Sequence, residues 1–282
     1  MKILICSGGF PTLTNAKEAA HIVTFGISKH LKSLNHQVDL QVINFENNLK
    51  EKEELPLDTK YLFSKIHSEI IVKQRKRFDD ILNLLDFFFL KNNVYRKVLI
   101  DKSKFDEYDL ILPVWSEIAT RVISTLPNKK IAYYGNLEFL VKQSNISLDL
   151  KFNKNMRNFC RYLYMKIVGE LHKRESISYL KKYSHVFNVS ALDAHNLFKL
   201  GVKSSYLQMI WDGDNKEINY MRNRNESINT KKRVCCSVGN LSATGNTFGF
   251  ITLIEDIIPE IERQGLNQYF RLQIYGGSNF RY

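Results

Sequence analysis

Apolar residues recur with two different periods along this chain, and the switches between them mark its elements. Residues 2–6, KILIC, form a short apolar run that stops at Ser7-Gly8-Gly9-Phe10-Pro11-Thr12. From Asn15 to about Leu34 the period becomes helical, with Ala19, Ile22, Val23, Ile27, Leu31 and Leu34 repeating near 3.6 residues. Thr14 or Asn15 suits the cap, and Glu18 stands three residues after Asn15, as in a capping box. Gln37 to Asn44 (QVDLQVIN) then alternates apolar and polar, which predicts a strand. Strand, glycine loop, helix and strand in this order open a parallel α/β fold.

The same reading continues downstream. Residues 46–60 are polar and read as a loop, while 61–100 mix apolar and basic residues at helical spacing, with Phe78, Leu82 and Leu85 expected to face inward. Tyr108 to Pro113 and Lys130 to Tyr134 predict strands, with a short helix over Glu117 to Leu126 between them. Met156, Phe159, Cys160, Leu163, Tyr164, Ile167, Val168 and Leu171 follow i, i+3, i+4, i+7, predicting a long amphipathic helix. It leads into a strand at His185 to Val189 and a helix from Ala191 to Leu200. Gly201 serves as C-cap, and a strand follows near Tyr206 to Ile210.

Residues 212–232 are polar almost throughout and separate a first domain, 1–211, from a second, 233–282. In the second, the pattern restarts: a strand at Arg233 to Val238, a small-residue loop, a helix from Thr247 to Ile261 and a strand at Phe270 to Tyr275. Fifty residues with two strands fall short of the roughly 100 that a domain usually needs. The expected architecture is therefore a Rossmann-like domain followed by an incomplete second one, the chain being a piece of a longer protein.

Composition narrows the classes. A hydrophobic share of 44% with 25% charged residues suits a globular protein. No run approaches the roughly 20 apolar residues that span a bilayer, and the amino-terminal run is too short for a signal peptide, so a cytoplasmic protein is expected. Four cysteines without CxxC or Cys/His spacing support neither disulfides nor zinc, and read as reduced, mostly buried thiols. The net charge of +12 favours phosphorylated small molecules, an anionic membrane surface or nucleic acid, and no nucleic-acid-binding signature accompanies it. The basic, aromatic-rich region 60–104 is a candidate for peripheral membrane contact.

The glycine loops are the candidate chemistry. Gly8 and Gly9 follow the first strand and precede a helix, where backbone N–H groups and the helix dipole favour phosphate. GxGxxG is absent and no acidic residue closes the second strand, which disfavours a nicotinamide enzyme. The loop Gly239 to Thr247 is one residue too long for a P-loop and has Asn246 in the lysine position. Gly239, Asn240 and Asn246 can still face a diphosphate, with Gly276 and Gly277 lining the same crevice at the end of the next strand. His21, early in the first helix, is the best-placed general base or acceptor contact. Asp212-Gly213-Asp214 has the spacing of a metal-binding pair but lies in the polar linker, so no metal site is expected.

The opening KILICSGGFP, the YDLILPVW strand and the helix running into HVFNVSALDAHNLFKLGV resemble the acceptor domain of family-4-type retaining glycosyltransferases of the GT-B fold. VGNLSATGNTFGFITLIEDIIPEI and FRLQIYGGS resemble the start of their donor domain. The resemblance implies a metal-independent hexosyltransferase without cofactor. It would move a sugar from a nucleotide-diphosphate donor to a glycan or lipid-linked acceptor in surface polysaccharide synthesis. Gly8, Gly9, Phe10 and Asn136 would line the acceptor cleft; Gly239, Asn240, Asn246, Gly276 and Gly277 would meet the donor. Asn240 and Asn246 replace the Arg and Lys of many members, and the segment with the family's glutamate pair is absent, so the chain alone is expected to be inactive. Two other readings stand beside this one. The first is a non-catalytic or partner-dependent subunit that binds glycan or nucleotide. The second is a nucleotide-sugar-modifying Rossmann-type enzyme.

Overall fold

A computed structural model of the chain describes residues 1–13, 18–45, 55–72, 85, 88, 102–141, 144, 147, 150, 155–208, 233–238 and 249–275. It divides into two compact units, Met1–Gln143 with Phe159–Asp212, and Ser144–Asn158 with Gly213–Tyr282. Both are mixed α/β with parallel strands.

In the first unit, which holds α4 from Phe159 on, the elements follow in chain order. They are β1 (Lys2–Ser7), α1 (Ala19–Ser33), β2 (Gln37–Phe45), α2 (Leu57–Leu62), β3 (Ile70–Val72), β4 (Leu110–Pro113), α3 (Glu117–Ile123), β5 (Ile131–Tyr134), α4 (Met156–Leu180), β6 (His185–Asn188), α5 (Ala191–Lys199) and β7 (Ser204–Tyr206). Four strands pair in the order β3-β2-β1-β4 and three in the order β5-β6-β7. Parallel bridges Ile111–Lys130 and Val114–Tyr133 lay β5 beside β4. The strand sequence across the unit is therefore 3-2-1-4-5-6-7, Rossmann-like, and its direction of growth reverses between β1 and β4.

The apolar run of β1 is continuous because both faces of that strand are covered. Ile3 and Ile5 join Val38, Leu40 and Val42 of β2 beneath Val23, Phe25 and Ile27 of α1. Leu4 and Cys6 turn the other way, into a cluster with Ile118, Ala119, Val122 and Ile123 of α3 and Tyr179 and Leu180 of α4. Side-chain alternation along one strand thus supplies two cores.

Several elements depart from the sequence pattern. Helix α1 is described from Ala19, with Glu18 as its N-cap residue and no side-chain cap; the expected capping box also needs Asn15. Residues 14–17 lie outside the described residues. The polar stretch expected as loop holds α2 from residue 57, started by Pro56 at the N-cap with Asp58 in the first turn. The helical spacing of 61–100 is interrupted by β3, in which Ile70, Ile71 and Val72 pair with Ile43, Asn44 and Phe45. Three residues are too few to show a strand period, so the neighbouring spacing masked them. Leu85 is exposed rather than inward; Phe78 and Leu82 lie outside the described residues.

The long helix is present, yet of its apolar series only Leu171 is fully buried, while Met156, Phe159 and Leu163 are exposed; Tyr179 and Leu180, beyond the series, are covered. Cys160 is exposed too, against the expectation of buried thiols, whereas Cys6 is buried. Gly201, at φ +80°, ends α5 in the left-handed conformation that glycine adopts without strain. The last strand of the unit starts at Ser204, two residues before the expected Tyr206.

In the second unit β8 (Arg233–Val238) and β9 (Phe270–Tyr275) pair in parallel, from Arg233 with Phe270 to Val238 with Tyr275. Between them, residues 249–252 are helical, Leu253–Ile257 widen to a π turn, and α6 (Ile258–Arg263) follows. Pro259 has no N–H to return to the carbonyl of residue 255, which loosens the helical ladder at this point.

Candidate functional site

Open parallel sheets gather ligands at the carboxyl ends of the strands where the strand order reverses, because the loops on either side diverge and leave a crevice. In the first unit that point lies between β1 and β4, so the loop from Gly8 and the loop from Val114 face each other.

Three close approaches shape it. An ideal Cβ on Gly8 would lie 3.4 Å from Ser116 Oγ, so the two loops already stand at contact distance. One on Gly9 would lie 2.6 Å from His21 Nε2, closer than a real Cβ approaches, so the bare glycine admits the imidazole. One on Gly135 would lie 1.8 Å from Trp115 Nε1, so the indole edge rests on the Gly135 backbone. These contacts set His21 against Gly9, in the glycine loop that the sequence already placed close to it.

The local sequence fixes each wall. Ser7 Oγ donates to the Gly9 carbonyl at 2.6 Å and tightens the turn after β1. Phe10 packs against the α1 core. Beyond it, the Asp58 carboxylate accepts from Thr12 Oγ1 at 2.8 Å and from the Leu13 N–H at 2.8 Å, while Thr59 Oγ1 donates to the Pro11 carbonyl at 2.5 Å. Helix α2 therefore clamps the far end of the glycine loop. Trp115 has φ +45°, an uncommon conformation for a bulky residue that marks a constrained site. Its N–H donates to the Tyr133 carbonyl at 2.7 Å. Ser116 caps α3, its Oγ accepting from the Ala119 N–H at 3.2 Å.

Behind the second wall, two charged contacts tie α3 to α4. Glu117 meets His172, and Arg121 pairs with Glu175 at 2.7 Å, with all four side chains largely buried. Tyr183 OH donates to the Thr120 carbonyl; burial first, then Cys6 and Tyr134, holds its phenol well above the usual range. Burial likewise pushes the Cys6 thiol up, so it packs as an apolar group rather than acting as a nucleophile.

Asn136 is exposed beside Gly135, at the carboxyl end of β5. The donor-side residues Gly239, Asn240, Asn246, Gly276 and Gly277 lie outside the described residues, as does the Asp212-Gly213-Asp214 turn. The strands that precede the donor-side residues, β8 and β9, end side by side at Val238 and Tyr275. Among the described residues, no group of three or more His, Cys, Asp or Glu is placed to hold a metal ion. No described helix is long and apolar enough to cross a membrane. Trp115 and Ser116 were not singled out from sequence, and Gly135 only as the neighbour of Asn136. The signal for them was available: Trp115-Ser116 and Gly135-Asn136 each come just after a buried strand, where crevice residues belong.

No family model matches the chain, and no curated protein matches it. Solved structures do. A UGT transferase from Siraitia grosvenorii in complex with UDP is similar at 9% identity and a TM-score of 0.40, over 99% of this chain and 74% of that one. Spinosyn forosaminyltransferase SpnP is similar at 12% identity and 0.42, over 100% and 67%. A UDP-GlcNAc 2-epimerase from Methanocaldococcus jannaschii is similar at 12% identity and 0.37, over 98% and 74%. At TM-scores of 0.37 to 0.42 these likenesses decide nothing about chemistry, which the residues of the crevice must supply.

Proposed function

We propose that the chain is a glycosyltransferase of GT-B type that takes a nucleotide-diphosphate sugar and passes the sugar to a glycan or lipid-linked acceptor bound in the β1–β4 crevice. The observation that carries this reading is the imidazole of His21 standing on the Gly9 backbone at the switch point, beside the facing loop of Trp115 and Ser116. A half-buried imidazole at a strand-end crevice is placed to take the proton of an acceptor hydroxyl as that oxygen attacks the sugar. Gly8, Gly9, Phe10 and Asn136 form the acceptor side. Gly239, Asn240, Asn246, Gly276 and Gly277 receive the donor diphosphate, whose departure is stabilised by backbone N–H groups and amides without a bound metal.

The test is transfer from UDP-, GDP- and dTDP-sugars to glycan and lipid-linked acceptors, with product detected by mass and its anomeric configuration by NMR. Base-assisted direct displacement by the acceptor inverts the anomeric carbon, as in inverting glycosidases. The resemblance to retaining enzymes implies the opposite. An inverted product assigns His21 as the base; a retained one leaves it an acceptor contact. Nucleotide binding without transfer would favour the non-catalytic reading, and absence of both would end the proposal.

A further inference from the structure

Four neighbouring strands of the first sheet end on a common apolar feature. Phe10 after β1, Trp115 after β4 and Val189 after β6 are each partly buried, and all pack against the cluster that holds Val23, Phe25 and Ile27 of α1. Gly135 after β5 carries no side chain, and the pyrrole side of the Trp115 indole lies over it. Nε1, Cδ1 and Cε2 are the three atoms nearest to where its Cβ would stand. The strands run in the order 1-4-5-6 at about 4.8 Å spacing, so the ends that carry this shelf span roughly 14 Å.

Trp115 is the unexpected residue of the shelf. Its φ of +45° is a conformation that suits glycine and is unfavourable for a bulky side chain. The bond from its N–H to the Tyr133 carbonyl holds that conformation in place. Core packing does not require an indole here, because Trp115 is only partly buried and belongs to the margin of its cluster. What the position gains is an aromatic surface at the mouth of the crevice, between exposed Asn136 on one side and His21 on Gly9 on the other. A pyranose has this same division, with C–H groups on its ring face and hydroxyls around its rim. An alkyl chain laid on the shelf would cover the indole but would take water from Asn136 and His21 without replacing its hydrogen bonds.

We propose that Trp115 determines the acceptor class: it is the platform on which the terminal sugar of a glycan acceptor stacks, with the sugar's hydroxyls meeting Asn136 and His21. The acceptor is thus recognised by a sugar ring and not by a lipid phosphate that lacks one. An aromatic surface with a few polar groups around it gives both contact area and orientation. The indole selects rings whose apolar face is free of axial hydroxyls. This inference rests on the proposed transfer reaction for the role of acceptor, whereas sugar binding itself needs neither donor nor turnover.

The experiment uses the whole chain with Trp211→Phe, which leaves Trp115 as the remaining one of its 2 tryptophans. It is titrated with the methyl glycosides of glucose, galactose, mannose, rhamnose and N-acetylglucosamine, and with dodecyl phosphate as a lipid phosphate without sugar. At least one glycoside should shift the Trp115 emission saturably, and dodecyl phosphate should not. Saturation-transfer NMR should be strongest on the protons of one ring face. Trp115→Phe should keep affinity within about threefold, while Trp115→Leu, apolar but without an aromatic face, should lose about tenfold. If the leucine variant fails to fold, the proton pattern on the Trp211→Phe chain decides alone. No saturable shift with any glycoside, equal transfer to all ring protons, unchanged affinity in Trp115→Leu, or binding of dodecyl phosphate in place of the sugars overturns the proposal. Stacking without transfer from any nucleotide sugar would end the transfer reading and keep the platform. Transfer to a sugar-free lipid phosphate, undiminished in Trp115→Leu, would do the reverse.

Discussion

The two edges of the first sheet use the same strands to opposite ends. At the carboxyl edge the chain is stripped: Gly8, Gly9 and Gly135 leave backbone bare, and His21, Trp115 and Asn136 stand around the space. At the amino edge β1, β2, β4 and β5 are tied off. Tyr108 OH donates to the buried Asp39 carboxylate at 2.9 Å and meets His67 Nε2 at 2.6 Å. The Lys2 N–H donates to Asp109 at 2.7 Å, and its ammonium pairs with Glu107 at 2.6 Å while lying 5.0 Å from the Tyr108 ring centroid. Lys130 Nζ donates to the Leu126 carbonyl. One edge carries polar groups available to a ligand, and the other consumes its polar groups in holding the strands together.

That division predicts which substitutions damage chemistry and which damage stability. The largest effect is expected from His21→Ala, which should lower transfer by roughly 10²–10⁴-fold while leaving the thermal midpoint unchanged, as a lost general base does. Gly9→Val should mimic it in transfer assays, since its Cβ would occupy the place of the imidazole. A transfer rate untouched by both would erase the distinction between the edges.

Glu175→Gln removes the carboxylate charge paired with the largely buried Arg121, at a cost of about 3–5 kcal/mol in urea unfolding. This contact supports the crevice from behind, so the variant should lose stability first. Gly135→Ala drives a methyl into the Trp115 indole and should cost about 1–3 kcal/mol by overpacking, with a shifted Trp emission.

At the amino edge, Tyr108→Phe removes one hydrogen bond to a carboxylate whose Oδ1 already has no hydrogen-bond partner among the described residues. The expected loss is about 1–3 kcal/mol of stability with nucleotide binding unchanged. The smallest effect is the pH response of His67. Burial, then Lys65, holds its pKa below the ordinary 6.5, so the folded state favours the neutral ring. The unfolded chain takes up the proton first, and stability present above about pH 6.5 declines as pH falls through the lower folded value. Chemical denaturation of His67→Gln between pH 7 and pH 5 should show a shallower slope than the parent chain.

How much of this was legible depended on whether the signal was local. The strand β1, the glycine loop after it, the helix containing His21 and the Gly201 stop follow from periodicity and from glycine's tolerance of close approach. The amino-edge ties could not be read in the same way. Asp39 and Tyr108 are 69 residues apart and Lys2 and Asp109 are 107 apart, so no window of the sequence contains both partners. The strand β3 was hidden for a related reason. Ile70 to Val72 is too short to show a period, and it is a strand because it pairs with Ile43 to Phe45.

The sequence by itself determined the alternation of strand and helix and the bare glycines at the strand end. Each of these is written within a few turns of chain. Only the tertiary structure decided that Gly9 and His21 touch, that Trp115 rests on Gly135, and that Leu171 of the apolar series of α4 is buried while Met156, Phe159 and Leu163 are exposed. An apolar period says that a helix has a face to bury. Whether anything lies against that face depends on which distant segments arrive there, and the order in which the parallel strands assemble sets this.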